Sequence, residues 1–156
     1  MRRKVLVVED DKSKSDELVQ FITLRWLDVD IVQCGSYQSG VREALRGKPD
    51  GVVLDMAIPK YDVTPEETGG PWREFGGRDI LRQMKRKRVS AAVVVVTHFT
   101  NFGDEHMTLG DLDLELAQEF PDHYLGAIYY HRAEIGWRIH FKELLEMALR
   151  VAESKS

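Results

Sequence analysis

Val5-Leu6-Val7-Val8-Glu9-Asp10-Asp11 places four apolar residues directly before three acids. The apolar run is rich in β-branched residues and does not alternate with polar ones. That is the pattern of a strand covered on both faces, as in a parallel sheet. Val52-Val53-Leu54 and Ala91-Ala92-Val93-Val94-Val95-Val96 repeat it. Residues 30–34 and 125–131 are weaker strand candidates.

Helical spacing fills the intervals. Residues 15–27 carry Leu18, Phe21, Ile22 and Leu24 at helical spacing. Ser36 is placed to cap a helix that runs to about residue 46, with Gly47 to end it. Residues 78–87 put Ile80, Leu81 and Met84 on one face, and residues 111–120 form a short amphipathic helix stopped by Pro121. Residues 137–152 close the series, with Ile139, Leu144, Leu145, Ala148 and Leu149 expected inward. Five βα units imply an α/β fold, a five-stranded parallel doubly wound sheet with helices on both faces. Two stretches resist the scheme. Residues 60–77 hold Pro65, Gly69, Gly70, Pro71 and Gly76 and read as a long inserted loop; residues 99–110 are irregular. Both follow a strand and so hang over the carboxyl edge of the sheet, where open α/β sheets bind ligands.

The 156 residues have room for one domain, spanning 1–156. A net charge of -4 gives no electrostatic case for direct nucleic-acid binding. Cys34 is the single cysteine, which excludes an internal disulfide and a cysteine-built zinc site; it is expected to be a buried, inert strand residue. The basic start Met1-Arg2-Arg3-Lys4 leads into an apolar run far too short for a signal peptide. No stretch approaches the roughly 20 apolar residues that cross a bilayer. The expected location is the cytoplasm, with no membrane association. The five histidines lack metal-ligand spacing, and the basic run Arg82, Lys85, Arg86, Lys87 and Arg88 reads as a solvated face. Trp26, Trp72 and Trp137 read as packing residues; of the three, Trp72, in the long loop, is the one placed to anchor a partner.

Chemistry concentrates at the strand ends. Glu9, Asp10 and Asp11 follow the first strand, Asp55 ends the third and Thr97 ends the fourth. Carboxylates brought together at one sheet edge repel, and a hard divalent cation relieves the repulsion. Mg²⁺ takes oxygen ligands, keeps several waters and needs only one or two carboxylates. A carboxylate beside that metal can act as a nucleophile toward phosphorus. The Thr97 hydroxyl is placed to bond a phosphoryl oxygen.

Val-Leu-Val-Val-Glu9-Asp10-Asp11, Val-Leu-Asp55-Met-Ala-Ile-Pro59 and Val-Val-Val-Thr97 together resemble the motifs of response-regulator receiver domains, in order and spacing, over nearly the whole chain. The resemblance implies a flavodoxin-like (βα)5 fold with strand order 2-1-3-4-5. It implies that Asp55 accepts a phosphoryl group from a histidine kinase or phosphotransfer protein. Mg²⁺ would be held by Asp10, Asp55 and the backbone carbonyl of Ala57, with Glu9 assisting through water. Thr97 would be the hydroxyl that turns inward as a switch. The same resemblance implies acceptor chemistry rather than a turnover enzyme. A hydrolase of related topology would need a second carboxylate two residues past the nucleophile, where this chain has Ala57.

Two departures accompany the resemblance. The family carries a Lys-Pro pair after the fifth strand, with the lysine on a phosphoryl oxygen. Residues 126–134 contain neither, so Arg132 or His131 is the candidate cation. Tyr129 or Tyr130 is the candidate aromatic that moves with Thr97. The loop after Asp55 is also longer by about a dozen residues than such loops usually are. Because the sequence ends soon after its last helix, no output domain is expected. Signalling would run through protein contacts on the 111–120 helix, the Tyr129-Tyr130 strand and the last helix, in a monomer or weak dimer. The competing reading is a pseudo-receiver, a protein-binding module independent of phosphorylation, which the missing lysine favours.

Overall fold

The computed structural model describes residues 2–64, 66, 69–103, 107–131 and 133–155. In chain order the elements are β1 (Arg3–Val8), α1 (Lys12–Arg25), β2 (Val29–Cys34), α2 (Tyr37–Arg46), β3 (Gly51–Leu54), β4 (Ile58–Pro59), β5 (Trp72–Arg73), α3 (Gly76–Arg86), β6 (Ala92–Thr97), β7 (Asn101–Phe102), β8 (Met107–Thr108), α4 (Leu109–Glu119), β9 (Tyr124–Tyr129) and α5 (Trp137–Lys155). Five strands form one parallel sheet in the order β2-β1-β3-β6-β9. Counted within the sheet, that is the expected order 2-1-3-4-5. The two short ribbons, β4–β5 and β7–β8, are antiparallel and lie outside it.

The apolar runs do not alternate because both sheet faces are covered, and each face takes alternate residues. Leu6, Val8, Val52, Leu54, Val93 and Val95 pack with residues of α2, α3 and α4. Val5, Val7, Val53, Val94 and Val96 pack with α1 and α5. Period-2 geometry turns a continuous apolar strand into two separate cores.

Several boundaries differ from the sequence reading. α1 begins at Lys12 rather than residue 15, because the Asp11 side chain caps it by accepting from the Lys14 backbone N–H. α3 begins at Gly76, and β5 occupies part of the expected 60–77 loop. The irregular 99–110 stretch contains the β7–β8 ribbon and the first residues of α4. Two residues expected on buried faces are exposed: Leu24 at 70% and Ile139 at 69%. Each lies two positions from a fully buried neighbour, Ile22 and Phe141, hence about 200° around the helix. Trp137 is buried, Trp26 packs partly buried against the α1–α5 core, and Trp72 is 60% exposed. Burial raises the Cys34 thiol above its ordinary range, which disfavours the thiolate. No described helix is long and apolar enough to cross a membrane.

α4 starts with a reciprocal cap: the Thr108 hydroxyl accepts from the Asp111 N–H, and the Asp111 carboxylate accepts from the Thr108 N–H. Thr108→Ala is expected to cost about 1 kcal/mol, measured by urea denaturation.

Candidate functional site

The carboxyl ends of β1, β3 and β6 meet at one edge of the sheet, and parallel pairing sets their relative height. Val8 lies level with Leu54, and Leu54 with Val95. The backbone N–H of Asp55 donates to Val8 O at 3.1 Å, and that of Glu9 to Cys34 O at 2.9 Å. These bonds carry the ladder one residue past the strands and fix where both acids sit. Glu9, Asp10 and Asp55 each bring a carboxylate oxygen within 4.8 Å of the others.

Their environments differ. Asp55 is buried; its Oδ1 accepts from the Met56 N–H at 2.6 Å. Glu9 is buried too, and its Oε2 accepts from the Asp11 N–H at 3.1 Å. Burial pushes the Glu9 carboxyl up to about 8, with the Asp55 charge adding to the rise and Lys14 opposing it. Asp10 is also raised, chiefly by burial. Thr97 is fully buried, and its Oγ1 accepts from the Phe99 N–H at 3.2 Å. Ala57 lies two residues past Asp55, just before β4.

The residue that sequence reading missed is Lys14. It is 1% exposed, among the largest fully buried side chains of the chain. Its Nζ donates to Val96 O at 2.8 Å and to Asp55 Oδ2 at 3.0 Å, and makes an ion pair with Glu9 Oε1. A signal was present. Once Asp11 is taken as the cap, Lys14 falls four residues before Leu18 and seven before Phe21, on the buried stripe of α1. A lysine heading an apolar stripe beside three acids points at those acids.

The two candidate cations after β9 fare differently. Arg132 lies outside the described residues. His131 is exposed, its Nδ1 accepting from the Ala133 N–H at 3.3 Å. It lines a cleft of about 480 Å³ with Asp11, His98, Tyr129 and Tyr130. The two tyrosines separate clearly. Tyr130 is 4% exposed, with its ring 5.0 Å from Trp137 and its hydroxyl donating to Glu17. Tyr129 is 43% exposed and pairs with Thr97 across β6 and β9. Of the two, Tyr129 has room to change position.

No family model matches the chain. The uncharacterized protein y4jR of Sinorhizobium fredii is 31% identical over 144 residues, covering 89% of this chain and 94% of that one. The Detocs response regulatory protein DtcB of Vibrio alginolyticus is 23% identical over 149 residues, covering 91% and 99%. Among solved structures, the signal receiver domain of a Vibrio parahaemolyticus protein assigned as a Luxo repressor is similar at a TM-score of 0.69 with 19% identity, covering 99% of this chain and 95% of that one. The receiver domain of a Pseudomonas aeruginosa sensor histidine kinase is similar at a TM-score of 0.60 with 15% identity, covering 96% and 98%; that structure holds a magnesium ion in its active-site cleft.

Proposed function

We propose, since this chain has the receiver-domain fold of response regulators and belongs to one family with the Sinorhizobium protein y4jR, that it accepts a phosphoryl group on Asp55 from a histidine kinase or phosphotransfer protein and signals through protein contacts. One observation carries the reading: a buried strand-end carboxylate, Asp55, sits between two acids and a buried ammonium, Lys14.

The donor set suits Mg²⁺. It consists of hard oxygens, brought together by Glu9, Asp10 and Asp55 within 4.8 Å of one another. Asp10, Asp55 and the Ala57 carbonyl would hold the ion, with Glu9 assisting. The ion would neutralise charge on the transferring group. An Asp55 carboxylate oxygen forms the new bond to phosphorus while the donor's P–N bond breaks. The donor imidazole leaves neutral, keeping the electron pair of that bond, because its other nitrogen already carries a proton. The chain's own part is positioning: ladder bonds fix Asp55, and burial holds it away from bulk water. Thr97 spends one lone pair on Phe99 N–H, so its own O–H remains to donate to a phosphoryl oxygen. That movement would draw in the neighbouring Tyr129 and change the surface formed by α4, β9 and α5.

On this reading the protein is a cytoplasmic acceptor rather than a turnover enzyme. The 60–77 stretch is an insertion within one domain, with Trp72 at its surface as a partner anchor. The absence of a lysine from residues 126–134 favours a second reading, a protein-binding module independent of phosphorylation.

Acetyl phosphate with Mg²⁺ is expected to add one phosphoryl group, read by intact mass, and Asp55→Asn or removal of metal to abolish it. If the folded wild type takes no phosphoryl group and no beryllofluoride, the binding-module reading replaces this one.

A further inference from the structure

We infer that Lys14, reaching in from α1, supplies the cation that contacts the phosphoryl group on Asp55, in place of the lysine missing after β9. The inference rests on the phosphoacceptor reading of Asp55 and adds to it a residue on a different element.

The argument is one of place. The Lys14 ammonium is held on one side of Asp55. Val96 O, on β6, anchors it at 2.8 Å, and the ring of Tyr130 lies 5.5 Å away. Tyr130 is the first residue past β9, so the ammonium stands where the segment after the fifth sheet strand begins. Asp10 forms no ion pair with Lys14 among the described residues and is left for a metal. The segment itself begins with a buried tyrosine and an exposed histidine, Tyr130 and His131.

Charge and donor count agree with placement. One ammonium and one divalent cation would balance Glu9, Asp10 and Asp55 once all three are ionised, the state that both cations favour. An ammonium has three N–H donors. One is fixed on Val96 O, which needs no change during transfer. The donor on Asp55 Oδ2 is the one to exchange. When Asp55 becomes an acyl phosphate, its carboxylate charge passes to the phosphoryl oxygens, and the N–H follows that charge. Val96 also directly precedes Thr97, so the same carbonyl ties Lys14 to the strand end that carries the switch hydroxyl.

A buried lysine that only neutralises acids would behave differently, and Lys14→Met separates the two. Three quantities are read: Mg²⁺ affinity by calorimetry, beryllofluoride binding by fluorine NMR, and acetyl phosphate labelling by intact mass. Removing a positive charge beside the carboxylates should tighten Mg²⁺ binding by roughly 3- to 10-fold. Removing a phosphoryl contact should slow labelling by about 100-fold, with beryllofluoride binding weakened alongside. A purely neutralising lysine would leave labelling as strong as the tighter metal binding allows. Labelling within about 3-fold of wild type in folded Lys14→Met therefore overturns the inference and leaves Asp55 as acceptor. If Lys14→Met does not fold, Glu9→Gln/Lys14→Met is compared with Glu9→Gln, both with saturating Mg²⁺, because the pair removes one buried acid with the lysine and the metal compensates Asp55; equal labelling overturns the inference equally. A wild type that Asp55 chemistry never labels overturns both readings.

Discussion

Without divalent metal, Lys14→Met is expected to unfold more easily than wild type by about 3 kcal/mol, and saturating Mg²⁺ to recover much of the loss. The argument is an asymmetry. Taking Lys14 out of water costs several kcal/mol, so the ion pairs it makes with Glu9 and Asp55 add little net stability. Removing the lysine alone is another matter. It leaves buried Asp55 with no compensating charge and Val96 O without its donor. A divalent ion at Glu9, Asp10 and Asp55 compensates the same carboxylates, so metal and lysine substitute for one another in stability though not in chemistry. Asp55→Asn in the Lys14→Met background removes the uncompensated charge and should restore stability. The check is a double-mutant cycle by urea denaturation, with and without Mg²⁺. Additive losses, unaffected by metal, would refute the coupling.

What was legible in the sequence follows from how local each cause is. The sheet could be read because covered strands need continuous β-branched runs, and Val5-Leu6-Val7-Val8 and Val93-Val94-Val95-Val96 show that directly. Its edge could be read because acids immediately after such runs have only one place to go. Lys14 was hidden by a boundary shift of three residues. With α1 begun at Ser15, the lysine falls in a turn, and only the Asp11 cap moves it onto the buried stripe. The error at Leu24 has the related cause that apolar identity was read in place of helical phase. The ribbons β4–β5 and β7–β8 left no pattern, since strands of two residues have no period to show.

The choice between Tyr129 and Tyr130 needed tertiary contact. Adjacent strand residues face opposite sides, but only the Trp137 ring and the Glu17 carboxylate show which side is closed. Arg132 and Lys14 illustrate the same limit. Resemblance directs attention to the segment where the family keeps its lysine, whereas the structure brings an ammonium to the acids from a helix that starts only a few residues after Glu9. A functional charge is defined by where its terminal atom ends, and a lysine's four-carbon stem lets that atom come from more than one element.

The second large effect is expected at Gly77, where a single methyl group should disable the site from outside it. Gly77 lies in the first turn of α3, and its N–H donates to Met56 O at 3.0 Å, holding the helix start against the end of β3. A Cβ there would collide with the Asp55 carbonyl oxygen and Leu54 Cδ1 and stand 2.9 Å from Met56 Cε. A side-chain tip can turn aside, but the Asp55 carbonyl belongs to the backbone that fixes the acceptor. Relief must come from α3 backing away or from Asp55 shifting. Gly77→Ala should therefore cost about 2–3 kcal/mol, the upper range for overpacking. Phosphoryl labelling of the fraction that still folds should fall by about 100-fold, as an ångström of misplacement does in a positioned reaction. Gly110 supplies the comparison. It lies in the first turn of α4, where an added Cβ meets only Thr108 Oγ1 at 3.7 Å. Gly110→Ala should stabilise the protein by about 0.5–1 kcal/mol through helix propensity. Opposite signs at two helical glycines, read by urea denaturation, would show that contact with the acceptor's backbone demands glycine at position 77. Equal, small effects at both would mean that β3 and α3 can part without disturbing Asp55.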